Sequence, residues 1–315
     1  MEWCLEYSER VFDLAGDRTV TSAPKSEANG ALPRAWRFLC KPWHEKSRSA
    51  FVRWSRLFPT MSVPLLLPSG VWWVVRDDHA GPMVYEGRFE CAEVAFVNRF
   101  LQPGMIALDL GAHHGYYTLL ASKLVGLRGK VFAFEPSPRE RKALLLHVRM
   151  NLCWNVRVQA LALGEEETEA DLHVVDGGES GCNSLRPPSV VGKTSPVRVR
   201  VTRLDDWLDE RKIGRVDFIK LDVEGAELDV LKGASRLLER RPRPVILAEV
   251  QDVRTLPWGY RAKDIIDHLT NHGYTWFTLS DAGCVENLDL SAKDYEGNFV
   301  AWPEESLAGL KSLKR

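Results

Sequence analysis

Four runs of nearly continuous apolar residues stand in the middle of the chain. They are MIALDL (105–110), KVFAFE (130–135), VDFIKLD (216–222) and PVILAEV (244–250), each ending in or beside a carboxylate. Unbroken apolar runs of this length are what parallel strands need when both faces of their sheet are covered. Between them the apolar spacing turns helical. Tyr116, Leu119, Leu120 and Leu124 share one helix face, as do Leu144, Val148 and Leu152, then Leu228, Leu231 and Leu238, and later Ile265, Ile266 and Leu269. Strand and helix alternating in this way predict a doubly wound α/β sheet with right-handed crossovers. Upstream, LLLPSGVWWVV sets two apolar runs on either side of Pro-Ser-Gly and predicts a hairpin near residue 70.

The N-terminal fifth has a different character. After a short helix candidate, residues 16–34 are rich in Gly, Pro, Ser and Ala without periodicity, as a linker is. Residues 34–56 carry seven bases (Arg34, Arg37, Lys41, Lys46, Arg48, Arg53, Arg56) and one acid, Glu45, interleaved with Trp36, Trp43 and Trp54. This reads as an amphipathic helix whose tryptophans pack on the main domain; contact with an anionic substrate or partner is the alternative. The expected organisation is an extension over 1–68 and an α/β domain over 69–315.

Composition narrows the class without choosing a function. The 315 residues are 45% hydrophobic and 27% charged, with a formal net charge of -1, so global charge offers no argument for a polyanionic partner. The six cysteines are scattered, without the spacing of a zinc cage or a disulfide framework, and imply a reducing, cytoplasmic setting. MEWCLEYSER carries Glu2, Glu6 and Glu9 where a signal peptide would carry bases, and no run of 18 apolar residues suggests a membrane span.

Chemistry concentrates at the strand ends. In an open α/β sheet, ligands bind beyond the C-terminal ends of the strands, and Asp109, Glu135, Asp222 and Glu249 all fall there. Like charges on one rim repel unless a cation or hydroxyl groups lie between them. In DLGAHHGYY (109–117), Gly111 and Gly115 permit a sharp turn and close approach of a ligand, but GAHHG lacks the GxGxxG fingerprint of a dinucleotide site. Asp109 would also repel a pyrophosphate. Twenty-four residues past Gly111, Glu135 ends its strand before Pro136 and is placed to accept hydrogen bonds from a ribose. Ribose plus positive charge, without pyrophosphate, describes S-adenosylmethionine.

Asp222 and Glu224, in KLDVEGAE, are candidate catalytic groups. They could remove a proton from an acceptor hydroxyl, hold a divalent ion that lowers the hydroxyl's pKa, or merely cap the following helix. Asp222 and Glu249 are the candidate metal ligands. His114 is a third catalytic candidate, with a loop-shaping role as its bland alternative. Lys220, inside an apolar strand, is expected to snorkel past the sheet edge. The Gly/Ser/Pro-rich segment 176–196 is read as a loop able to close over substrate through Asn183 and Ser184, or as a surface excursion, and EEETEAD (165–171) as a solvated turn.

From about residue 70 to 302 the chain resembles the FkbM family of class I S-adenosylmethionine-dependent methyltransferases. The resemblance is carried by DLGAHHGYYTLLASKLVG (109–126), VFAFEPSP (131–138), the stretch from Asn151 and Asn155 to ALALG (160–164), VTRLDDWL (201–208) and IKLDVEGAELDVLKGA (219–234). It implies a Rossmann-like seven-stranded sheet, mostly parallel, with one antiparallel strand supplied by Asn298 to Trp302. It further implies that Asp109, Gly111, Ala112, His113, Gly115 and Tyr117 contact the methionine side of the cofactor, Glu135 and Pro136 its ribose, and Ala162 or Leu163 its adenine, with Asp222 near the transferable methyl. The implied activity is O-methylation of a hydroxyl on a small-molecule or sugar-containing metabolite. The carboxylates themselves leave a divalent metal such as magnesium open as a further cofactor, and the lack of a basic rim and of a base-stacking motif beside it argues against a nucleic-acid partner. A degenerate, methyltransferase-like binding module is the alternative.

Overall fold

A computed structural model of the chain describes residues 63–67, 69–75, 83–84, 87–175, 180–187 and 193–313. The helix candidate at the N-terminus, the linker and the basic tryptophan-rich segment lie outside these residues. The predicted hairpin is present: β1 (Val63–Leu66) pairs antiparallel with β2 (Trp72–Val75). It belongs to a small compact unit of its own, while residues 89–313 lie in a second and larger one.

The larger unit opens with α1 (Cys91–Phe100) and continues through β3 (Ile106–Leu110), α2 (Tyr116–Val125), β4 (Lys130–Phe134), α3 (Pro138–Met150) and β5 (Val156–Gln159). Next come β6 (Ala162–Leu163), β7 (Thr168–Val175), β8 (Thr194–Thr202) and α4 (Leu204–Glu210). The second half holds β9 (Phe218–Leu221), α5 (Glu227–Lys232), α6 (Ser235–Glu239), β10 (Val245–Gln251), α7 (Asp252–Thr255), α8 (Ala262–Asn271), β11 (Tyr274–Leu279), β12 (Val285–Asn287) and β13 (Glu296–Pro303).

The central sheet has the order β12-β11-β13-β10-β9-β3-β4-β5. All four apolar runs became its central parallel strands, as their two-sided burial requires. Alternate residues feed two cores. Leu108, Leu110, Phe132, Phe134, Ile219 and Leu221 meet α4, α5, α6 and α8 on one face. On the other, Ala107, Val131, Phe218 and Leu247 meet Phe96 and Val97 of α1 and Ala121 and Val125 of α2.

The sheet departs from expectation at its edge. It has eight strands rather than seven, and two run antiparallel: β13, as expected around Asn298 to Trp302, and β12, which pairs with β11. β12 offers no apolar run because an edge strand of three residues buries only Val285. A separate sheet of order β6-β8-β7 lies apart from the central one. It takes up part of the expected solvated turn, since Thr168–Val175 is a strand whose exposed Glu169 and Asp171 pair with Arg198. Such solvated pairs add little stability. The helix through Leu228, Leu231 and Leu238 is broken into α5 and α6, because Gly233 lies against the backbone of Gly164, where a Cβ would come within 2.0 Å of its carbonyl oxygen. Leu152 falls past the end of α3 and is 64% exposed.

Asp205 explains part of the VTRLDDWL motif. It is fully buried, and its two carboxylate oxygens accept from the backbone N–H groups of Arg236 (2.7 Å) and Leu237 (2.9 Å). The side chain thus satisfies orphan donors of the first turn of α6 across the chain. Asp205→Ala should destabilise the fold by about 2–3 kcal/mol, since it strands charge-assisted donors in the core; urea unfolding followed by circular dichroism measures this, and Asp205→Asn should cost less.

Candidate active site

The C-terminal rim of β3, β4, β9 and β10 gathers the carboxylates. Asp109 and Glu135 are 4% and 5% exposed. Strand alternation puts both on the face that carries α2. Asp109 accepts a hydrogen bond from Thr118 Oγ1 in the first turn of α2. Burial, against that hydrogen bond and the charge of Lys220, raises its pKa to about 6. Glu135 accepts the backbone N–H of His113 through one oxygen and that of Ser137 through the other, both at 2.8 Å. Burial outweighs these donors and pushes its pKa up to about 8.

The loop between Asp109 and α2 is shaped tightly. Gly111 and Ala112 both donate N–H to Phe134 O, at 3.1 and 2.9 Å. Gly111 has φ +85°, and a Cβ there would lie 1.7 Å from the carbonyl oxygen of Asp222. Only glycine fits, and the loop touches the turn after β9 directly. His113 and His114 stack at 3.8 Å, and His147 Nδ1 holds His114 O at 2.8 Å.

Lys220 commands the second half of the rim. It is 1% exposed; its ammonium donates to Asp222 Oδ2 at 3.0 Å and Asn298 Oδ1 at 3.1 Å, and lies 5.3 Å from the centre of the Tyr117 ring. Burial alone would depress its pKa, but the charges of Asp222, Glu90 and Glu249 reverse this and raise it. Glu90, just before α1, accepts the hydroxyl of Tyr117. Glu224 pairs with Arg254 at 3.1 Å, and burial, with the charge of Asp222, pushes its pKa up to about 8. Asp222, Glu224 and Glu249 each bring a carboxylate oxygen within 4.8 Å of the others. Glu249 Oε2 is buried and has no hydrogen-bond partner among the described residues. Burial raises the pKa of Glu249 well above the usual carboxylate range, and the charges of Asp222 and Glu224 add to it.

A glycine-bound loop after the first central strand, an acid ending the second, and LDVEG after the next make up one sequence pattern. The methyltransferase FkbM domain matches it over residues 109–275, more than half of the chain. The chain belongs to the FkbM methyltransferase family. It is 29% identical over 153 residues to the 2-O-methyltransferase NoeI of Sinorhizobium fredii, covering 44% of this chain and 61% of that protein. It is also 28% identical over 142 residues to Methyltransferase 1 of Beauveria bassiana, covering 40% of this chain and 57% of that one. The chain therefore matches about three-fifths of the length of these relatives. Among solved structures, the FkbM methyltransferase of Methylobacillus flagellatus aligns over 72% of this chain and 56% of its own, at 19% identity and a TM-score of 0.40.

Within this member of the FkbM methyltransferase family, the residues singled out from sequence divide into groups. Asp109, Gly111, Ala112, His113, Gly115, Glu135 and Pro136 come together around one loop and the end of β4. Asp222, Glu224 and Glu249 form a second group. His114 lies with His113 and Glu140 and not in the second group. Tyr117 turns its hydroxyl to Glu90 and its ring to Lys220. Ala162 and Leu163 pack their side chains into the cores of the small sheet and the central sheet respectively. Lys220 does not snorkel. Neither Asp222 nor Glu224 caps the following helix, which has no side-chain cap; Glu227, its first residue, instead ties the preceding turn, its Oε1 accepting from Val223 N at 3.0 Å and Gly225 N at 3.2 Å. Ser184 Oγ donates to Glu224 O at 2.7 Å and Asn183 Oδ1 accepts from Val175 N, so both are engaged within the chain. Residues 176–179 and 188–192 of that loop lie outside the described set.

Sequence reasoning missed Glu90, Arg254 and Asn298. A carboxylate ahead of a helix and a basic residue in DVRT carry no signal until the sheet order brings β9 between β3 and β10. Strain supplies another mark, since Glu90, His113 and Glu224 are non-glycine residues with φ of +43°, +47° and +55°. Such residues cluster at functional sites.

The Glu135 carboxyl generates a pH prediction. Its pKa in the fold, about 8, lies above the ordinary 4.5. A raised carboxylate favours folding fully below its unfolded value and loses that contribution as pH rises through the folded value. The cofactor-free protein should therefore lose stability relative to Glu135→Gln as pH climbs from about 4.5 to about 8, as read by paired chemical unfolding curves across that range.

Proposed function

We propose that this FkbM methyltransferase moves the methyl group of S-adenosylmethionine to a hydroxyl oxygen of a small-molecule or sugar-containing acceptor, in the cytoplasm. The observation that carries the reading is the pairing of two carboxylate groups on one rim: a deeply buried one around the glycine loop and a partly open one after β9. Asp222 and Glu224 keep side-chain exposures of 29% and 15%. That leaves them reachable by an acceptor, unlike Asp109 and Glu135.

The buried group suits the cofactor. Each Glu135 oxygen accepts one backbone N–H and retains a lone pair for a ribose hydroxyl. Asp109 and the close-set Gly111 favour a positive centre over a phosphate. When bound, S-adenosylmethionine supplies a methyl group already activated on a positive sulfur. The chain's own work is then to align the acceptor oxygen, exclude water and take one proton. Glu224, held near neutral pKa beside Asp222, is suited to receive that proton. A divalent cation such as magnesium, on Asp222 and Glu249, belongs to the same reading. His113 and His114, stacked and pinned, support a loop-shaping role.

Several features favour a small hydroxylated acceptor. The rim's excess of acids works against a phosphate backbone, and NoeI is by name a 2-O-methyltransferase. For the cytoplasm, the support is that the described cysteines Cys91, Cys153, Cys182 and Cys284 form no disulfide with one another.

Cell extract incubated with the protein and isotopically labelled methyl donor should yield one new labelled species by mass spectrometry, and Glu224→Gln should slow its formation by about 10²–10⁴-fold. No labelled product across extract and a broad metabolite panel would refute the reading. Asp109→Ala and Glu135→Ala should each weaken S-adenosylmethionine binding by about 1–3 kcal/mol in calorimetry; unchanged affinity in both would remove the cofactor site.

A further inference from the structure

We infer that Asp222, Glu224 and Glu249 form an all-carboxylate site for one divalent cation of the magnesium or manganese type, with Glu249 as its decisive ligand. The inference deepens the methyl-transfer reading, on which its use rests, but the site itself stands on the geometry of the chain.

Charge makes the first argument. Asp222, Glu224 and Glu249 bring one carboxylate oxygen each within 4.8 Å of the others, and Glu90, Asp109 and Glu227 lie within electrostatic reach of Asp222. Against these acids the rim sets Lys220 and Arg254. The sulfonium of a bound cofactor would add a single positive charge near Asp109. Carboxyl groups still outnumber cations on the rim, and they converge most closely at Asp222, Glu224 and Glu249.

Satisfaction of donors makes the second. Asp222 has Lys220 at 3.0 Å and Glu224 has Arg254 at 3.1 Å. Glu249 has no such partner: its Oε2 is buried among the other two carboxylates without a hydrogen bond from any described residue. A buried, unpartnered carboxylate oxygen is costly unless a proton or a cation meets it, and three such groups converging favour a cation that all of them can share. β10 fixes it there, since Glu249 stands opposite Asn298 of β13, whose side chain accepts from Lys220. Lys220 and Arg254 thus each hold one of the other two ligands in an ion pair, and Glu249 is the one with an oxygen left without a hydrogen bond from any described residue.

Donor chemistry makes the third. Three carboxylates without cysteine or histidine select hard cations with oxygen preference. The neighbouring group of His113, His114 and Glu140 is unlike this, because both Glu140 oxygens already accept, from Arg139 and from Ser137. A cation on Asp222, Glu224 and Glu249 would sit on the open side of the rim, where an acceptor hydroxyl could join its coordination shell and be acidified.

The test uses manganese as the probe. Electron paramagnetic resonance titration of the full chain without cofactor should show one Mn²⁺ bound per chain, displaced by excess Mg²⁺, and Glu249→Gln should weaken it at least about tenfold. Absence of Mn²⁺ binding, or equal binding by Glu249→Gln, overturns the site. If that variant does not fold, the wild-type protein decides alone: Mn²⁺ must raise its unfolding temperature with concentration, and no rise overturns the site. Calorimetry with S-adenosylmethionine on the same samples separates the two readings. Mn²⁺ binding without cofactor binding upholds the cation site and removes the methyl-transfer reading, whereas cofactor binding without Mn²⁺ binding removes only the cation site.

Discussion

A single ammonium group, Lys220 Nζ, sits at the centre of the rim, and the arrangement of acids around it depends on its being buried. In the interior, a charge is tolerated only where opposite charge and hydrogen bonds surround it. β9 supplies the lysine, the turn after it supplies Asp222, β13 supplies Asn298, and the approach to α1 supplies Glu90 through Tyr117. Four parts of the fold are thus tied to one atom. The acids in turn have raised pKa values because burial penalises their charged forms by more than the lysine offsets.

Much of the fold was legible because parallel strands covered on both faces write themselves as unbroken apolar runs. The four central strands and the helices α2 and α8 followed from that pattern alone. What escaped had no such signature. β12 buries one residue, and β7 alternates charged residues toward solvent while its inner residues fill a small separate core. The break between α5 and α6 is set by a contact with Gly164, remote in sequence, which no local periodicity encodes.

The site was legible in part for a related reason. Acids at strand ends can be located once the strands are, so Asp109, Glu135, Asp222 and Glu249 were in reach. Their partners were not. Glu90 and Arg254 come from segments with no strand signal, and Lys220 was misread because a lone lysine in an apolar run says nothing about the counter-charges that surround it. Some motif residues turned out to be architectural: Asn155 stitches β5 to the end of α2 through Ser122 and Gly126, Trp207 packs its ring edge-on against Phe132 and Phe134, and Glu227 organises the turn after β9. Recurrent motifs in such a fold record packing as much as chemistry.

The bare α-carbon of Gly111, set against the carbonyl of Asp222, has a mechanical meaning. No compressible side chain lies between the donor-side loop and the acceptor-side turn, and Asp222 N is also bonded to Leu110 O at 3.0 Å. The loop after β3 and the turn after β9 therefore meet backbone to backbone, and neither can shift toward the other, there being no side chain to absorb the movement.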